Sequence, residues 1–232
     1  MAATARGAIQ SPNIWNRPAV YELENRAADP LGRLRAALRQ IRDWSGSDVL
    51  DVGCGTGYHL PMFAATAARV VGVEPHRGLA AVARDRCSGW ANVRVRVGAA
   101  QRLPLPDRCI DVSHARWAYF FGPGCEPGLR ELARVMRRGG VSFVIDNDVS
   151  RSTFGRWFRT ARPGYDGTAV ESFWSRHGWH RRSIDMGWRF ESREDFESVV
   201  RIEFAPRDAE RIIAEHDRLE VDYAVNLWWR QW

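Results

Sequence analysis

Between Val49 and Ile145, short apolar runs alternate with stretches whose apolar residues recur every three to four positions. This is the pattern of a parallel sheet covered by helices on both faces. The runs Val49 to Val52, Arg69 to Glu74, Val93 to Val97, Ile110 to Ala115 and Val141 to Ile145 predict five strands. Between them, Tyr58 to Ala68, Gly78 to Cys87 and a stretch through Leu129, Leu132, Val135 and Met136 predict helices, the last stopping at Gly139-Gly140. Upstream, residues 1–17 lack periodicity and read as an arm or flap, and Ala19 to Ala28 predicts a short helix. Asp29-Pro30 then supplies an N-cap and a proline for a helix through Leu31, Leu34, Leu38 and Ile41, ending near Gly46. Segment 151–195, crowded with aromatics and arginines, breaks the rhythm as an insertion would. Val199 to Phe204 predicts a strand, Asp208 to His216 a helix, and the alternation from Leu219 to Trp229 a long strand, so that an antiparallel pair closes the sheet. The expected fold is a doubly wound, mainly parallel seven-stranded α/β sheet with an antiparallel last strand.

At 232 residues the chain suits one domain: an N-terminal arm with helices over 1–46, a core over 47–148, the insertion, and closing strands over 196–232. No run of eighteen apolar residues occurs, so no membrane partner is expected. The stretch from Met1 to Gly7 has no cationic segment followed by an apolar one, which makes the cytoplasm the expected compartment. A monomer or homodimer is expected. Cys54, Cys87, Cys109 and Cys125 form no C-x-x-C pair, so neither a disulfide framework nor a zinc site is suggested. The net charge of +6 admits an anionic partner. All 34 basic residues, however, are arginine, dispersed among acids with no dense basic block, which argues against nucleic acid.

The chemistry concentrates in Val49-Leu50-Asp51-Val52-Gly53-Cys54-Gly55-Thr56-Gly57-Tyr58-His59, an apolar strand running into three alternating glycines and then a helix. Glycines at such a turn let a ligand approach backbone where a side chain would collide. Glu74 ends the second strand beside this loop, where a carboxylate can accept from both hydroxyls of a ribose. A dinucleotide fingerprint needs its last glycine at position 58, which is Tyr58, so S-adenosylmethionine is the better cofactor.

These residues, with Gly98-Ala-Ala-Gln-Arg-Leu-Pro-Leu-Pro-Asp107, Asp111 and Leu132-Ala-Arg-Val-Met-Arg-Arg-Gly-Gly140, resemble the class I S-adenosylmethionine-dependent methyltransferases, in particular their type 11 small-molecule branch. The resemblance covers about residues 47–148 and implies a Rossmann-like sheet. It implies that Asp51 orients the loop and the methionine amino group, that Gly53, Cys54, Gly55 and Gly57 line the amino-acid part, and that Glu74 holds the ribose with Pro75 beside the adenine. Such proteins usually carry an acid where Ala99 stands, so adenine recognition here is expected to lean on the backbone at Ala100, on Gln101 or on stacking.

Methyl transfer is an in-line displacement that needs alignment, and a base only where the acceptor loses a proton. His114, near the end of the fourth strand, is the first expectation for that base; Tyr119 is a proton-relay candidate, and His177 and His180 are candidates from a capping insertion. Metal-dependent catechol-type relatives place an Asp-Asn pair where Asp146-Asn147 stands, yet Arg116 falls where they need a carboxylate, so no metal is expected. The run Trp117 to Phe121, the insertion aromatics, Trp15 and Tyr21 could wall a pocket for an aromatic or hydrophobic small-molecule acceptor. An RNA or protein methyltransferase and a non-catalytic cofactor-binding protein are the alternatives.

Overall fold

The computed structural model describes residues 4–5, 7–119 and 122–232. Phe120 and Phe121, the end of the aromatic run noted above, lie outside the described residues. Three helices come first: α1 (Pro12–Asn16), α2 (Pro18–Ala27) and α3 (Arg33–Ile41). The Asp29 carboxylate accepts from the backbone N–H of Arg33 and Leu34, meeting the unpaired donors at the start of α3.

The core follows as β1 (Asp48–Val52), α4 (Leu60–Ala64), β2 (Arg69–Glu74), α5 (Arg77–Arg86), β3 (Val93–Val97), β4 (Ile110–Arg116), α6 (Glu126–Val135) and β5 (Met136–Asn147). After it come α7 (Thr153–Ala161), α8 (Gly167–Arg176), β6 (His180–Asp185), β7 (Trp188–Arg189), α9 (Arg193–Glu203), α10 (Pro206–Glu215), β8 (Glu220–Val221) and β9 (Ala224–Gln231). Seven strands form one sheet in the order β3-β2-β1-β4-β5-β9-β6. Strands β1 to β5 pair in parallel, and β9 runs antiparallel between β5 and β6. The reversal of strand order beside β1 opens a crevice above the carboxyl ends of β1 and β4, the place where such sheets bind ligands.

Three local expectations are corrected. Residues 199–204 are not a strand: Phe196, Val199 and Val200 are buried on one face of α9, whose first turn is capped by the Ser192 hydroxyl accepting from Asp195. The second closing strand is instead β6, an edge strand reading His-Arg-Arg-Ser-Ile-Asp. Its charged face hides it from hydrophobic patterning and keeps the open edge from pairing with another chain. The third concerns Gly139-Gly140, which does not end a helix: α6 stops at Val135, and both glycines lie within β5, Gly139 at φ +80°.

The aromatic segment packs as core. Phe154 stacks on Tyr223 with centroids 4.0 Å apart, and Trp174 sits between Trp179 and Trp228 at 5.0 and 5.9 Å. Beneath that cluster the Asp146 carboxylate, 2% exposed, accepts from Asn226 Nδ2 at 2.8 Å and Trp228 Nε1 at 3.0 Å. Burial pushes its pKa up to about 7, against roughly 3.9 in an unfolded chain. Between those values the folded protein holds a proton that the unfolded chain has released, so stability falls as pH rises from about 4 to 7. Glu203, half-buried and also pushed up to about 7, acts in the same direction. Thermal melts are expected to show a lower midpoint at pH 8 than at pH 5. Asp146→Asn should flatten that dependence by up to about 1.4 kcal/mol per pH unit; an unaltered slope would remove Asp146 from the account.

Candidate functional site

A cavity of about 190 Å³ lies above the ends of β1, β2 and β4. The glycine loop forms its floor. Gly53 and Gly55 have φ of +71° and +56°, a region that a side chain disfavours. A Cβ on Gly53 would stand 2.7 Å from Ala118 Cβ, and one on Gly55 would stand 2.6 Å from Ile14 Cδ1. Bare backbone here therefore lets both the β4 exit and the N-terminal arm approach the loop. Gly57 is different: it is absent from the cavity wall and faces Ala83 of α5 at 2.9 Å from its would-be Cβ, so it serves helix packing.

Glu74 is 3% exposed and lines the cavity. Its Oε2 accepts from Gly55 N–H and its Oε1 from His76 N–H, each at 2.9 Å. Burial raises its pKa while these two bonds oppose the rise. Each oxygen keeps a further acceptor site, so the carboxylate is held rigidly with capacity left for two hydroxyl donors. Pro75, Ala99, Ala100 and Gln101 continue the same wall, and Cys54 lies at the loop, its thiol raised in pKa by burial. A buried acceptor pair at the β2 tip, a side-chain-free loop and an apolar turn at Ala99-Ala100 suit a ribose, an amino-acid tail and a purine respectively.

The N-terminal arm closes the roof. Ala5 N–H donates to Pro75 O at 2.9 Å, Gln101 Nε2 donates to Gly7 O at 2.8 Å, and Trp15 packs on His76 with centroids 5.1 Å apart. Helix α2 is pinned to the loop by Glu22, which accepts from Thr56 Oγ1 and from Arg86 at 2.7 Å. The segment read from sequence as a loose arm is thus part of the site.

At the β4 end, His114 Nδ1 donates to Asp51 Oδ1 at 2.8 Å, with both side chains buried. The bond fixes the ring and leaves Nε2 as the imidazole's remaining nitrogen. His59 packs edge-on against His114 at 5.8 Å, and Arg116 NH1 donates to His59 Nε2 at 3.3 Å. Burial, then the Arg116 charge, holds His59 well below the ordinary histidine pKa, so it is neutral and accepts that bond. Trp117, at φ +51°, is a bulky residue in the left-handed region, held there by Nε1 donating to Asn147 Oδ1 at 2.7 Å and by Arg116 over its ring at 4.3 Å.

Tyr119 also lines the cavity, beside Ala100 and Gly128, with a buried hydroxyl that has no hydrogen-bond partner among the described residues. A proton relay needs such a partner. Tyr119→Phe is expected to raise folding stability by about 1 kcal/mol, because it deletes an unpaired buried polar group; a loss of stability in denaturant melts would show that the hydroxyl is bonded after all.

His177 and His180 are not brought to the cavity. His177 Nδ1 donates to Phe173 O at 2.8 Å, and His180 stacks on Trp229 at 5.3 Å. The insertion aromatics do not line it either; Trp15, Tyr21, Trp117 and Tyr119 do. Asn147 bonds Trp117 and Tyr223, and Asp148 bonds Ser150, Ser183 and Arg181, so this triplet serves structure around the β5 exit. Asn25, His59 and Arg116 have no site role in the sequence reading, although His59 directly follows the glycine loop and Arg116 lies two residues past His114.

In fold and site the chain is similar to the class I S-adenosylmethionine-dependent methyltransferases. Residues 49–140 match the methyltransferase domain family. It is 31% identical over 101 residues to YcgJ of Bacillus subtilis, named an uncharacterized methyltransferase, covering 43% of this chain and 40% of that protein. It is 32% identical to a demethylmenaquinone methyltransferase of Tropheryma whipplei (54% and 52% covered). It is 31% identical to a malonyl-[acyl-carrier protein] O-methyltransferase of Serratia marcescens (54% and 51% covered). The matched regions thus span about half of these relatives' length or less. The YcgJ crystal structure superposes with a TM-score of 0.60 at 20% identity over 85% of this chain and 96% of that one. No helix among the described residues is long and apolar enough to cross a membrane.

Proposed function

We propose that the chain transfers a methyl group from S-adenosylmethionine to an O, N or C atom of a small acceptor held beside His114. The observation that carries this reading is one cavity joining two unlike ends. A glycine loop and a rigid ribose-type carboxylate stand at one end, and a buried Asp51–His114 pair at the other. Bound there, the cofactor would supply a methyl group on a sulfonium, an electrophile that needs no activation by the protein. Gly53, Cys54 and Gly55 would take its amino-acid part, Glu74 the ribose hydroxyls, and Pro75 with Ala99 to Gln101 the adenine. Asp51 holds the His114 ring, so Nε2 can accept a proton as the acceptor atom becomes nucleophilic. The arm excludes water from the reacting pair. Its closure over the loop also suits a compact metabolite better than RNA or a folded protein. Two of the relatives named above are named for demethylmenaquinone and for a malonyl group carried on acyl-carrier protein.

Calorimetric titration with S-adenosylmethionine and S-adenosylhomocysteine, with NAD as control, tests the first half of the reading. Micromolar binding of the first two and none of NAD is expected, and NAD binding alone would overturn it. A phenol, amine and carboxylate acceptor panel with mass-spectrometric detection tests the second half; tight cofactor binding with no methylated product would make the protein a non-catalytic binder.

A further inference from the structure

The acceptor end of the cavity contains a cation, Arg116, that forms no ion pair among the described residues, although the Glu24 and Asp29 carboxyls act on it from farther away. Arg116 lines the cavity with a guanidinium that has five N–H donors. Two are engaged, one on His59 Nε2 at 3.3 Å and one on the thioether of Met186 at 3.4 Å, which is a weak acceptor. The other three have no acceptor, and no carboxylate pairs with Arg116 among the described residues. Arg134, by contrast, is tied to Glu131 and Asp107, and Arg181 to Asp148 and Glu171. A largely buried cation without a partner is costly, and a site that keeps one is arranged to receive an anion.

Two neighbours complete the arrangement. The Asn25 side chain, 7% exposed, lines the cavity without a side-chain hydrogen bond to any described residue, and Tyr21 lines it from the same helix. Both are neutral donors. One cation with neutral donors matches a planar monoanion, whereas a phosphate dianion calls for more positive charge than this end supplies. Glu24 is buried nearby, and burial pushes its carboxyl well above the usual carboxylate range, toward the neutral form.

Register then places the anion relative to the reaction. His114 and Arg116 are two residues apart on β4, so both side chains leave the same face of the sheet, about 6–7 Å apart along the strand. An acceptor atom at His114 and an anion at Arg116 would belong to one molecule of about aromatic-ring length.

We propose that the acceptor carries a carboxylate, seated on Arg116 with Tyr21 and Asn25, about one ring length from the atom methylated beside His114. This rests on the methyltransferase reading above, and the guanidinium acts as an anchor without taking part in the transfer.

The test uses the full chain saturated with S-adenosylhomocysteine and measures binding of 3-hydroxybenzoate, 4-hydroxybenzoate and 4-hydroxyphenylacetate against their primary amides, by tryptophan fluorescence or calorimetry. At least one acid is expected to bind about tenfold tighter than its amide. Arg116→Gln should erase that preference while the amide affinity stays within about threefold, and Arg116→Lys should keep part of it. A preference below threefold in every pair overturns the proposal, as does a preference that survives in Arg116→Gln. Should Arg116→Gln fail to fold, judged by melting and S-adenosylhomocysteine affinity, the wild-type contrast together with Arg116→Lys decides. If S-adenosylhomocysteine does not bind at all, the methyltransferase reading fails separately, and the acid-against-amide contrast is read on the unloaded protein.

Discussion

Replacing Glu74 by alanine is expected to weaken binding of S-adenosylhomocysteine ten- to a hundredfold. The buried carboxylate would accept from two ribose hydroxyls, and hydrogen bonds to a charged group contribute about 1.5–3 kcal/mol, each 1.4 kcal/mol being a factor of ten. The substitution also orphans the N–H groups of Gly55 and His76, which Glu74 now satisfies, so the loop itself should loosen. Glu74→Gln separates the two effects. It keeps the shape but replaces one acceptor by a donor aimed at a backbone donor, so affinity should fall while the melting midpoint drops less than in Glu74→Ala. Calorimetry on both variants checks this; an affinity within twofold of the parent in Glu74→Ala would sink the ribose assignment.

His114→Ala should lower the methyl-transfer kcat by about 10²- to 10⁴-fold, the usual contribution of a positioned base, with S-adenosylhomocysteine affinity retained. Deleting the imidazole leaves the Asp51 carboxylate buried without its 2.8 Å partner, so a modest fall in stability should accompany the loss. Raising the pH should rescue His114→Ala for an acceptor whose own proton is acidic, because hydroxide then does the work of the base. Loss of less than tenfold would mean that the acceptor atom reacts without shedding a proton, leaving His114 as a group that only positions it.

His59 and Arg116 show why the site was only half legible in the chain. The glycine loop and Glu74 could be read because local rules force them: a turn that must admit a ligand needs glycine, and a strand tip has one outward-pointing residue. The acceptor end obeys no such rule. Arg116 could be aligned with a position where related metal-dependent enzymes hold a carboxylate, which served to argue against a metal. What its guanidinium meets depends on residues far away in sequence, such as the Met186 thioether. The same holds for His177 and His180, which sequence offered as catalytic candidates and the fold places on the far flank of the sheet with Phe173 and Trp229.

Periodicity determined the five parallel strands, most of their helices, the glycine loop and the carboxylate at the β2 tip, because each follows from contacts within a few residues and from burial on both faces of a sheet. Tertiary structure alone decided the rest. The aromatic insertion became core, since burying large rings against the β9 face outweighs leaving them over a cavity. The polar strand β6 became the sheet edge, and α9 took the place of a strand. The arm became the roof of the site, because the bare backbone at Gly55 lets Ile14 settle on the loop and Gln101 ties Gly7 down.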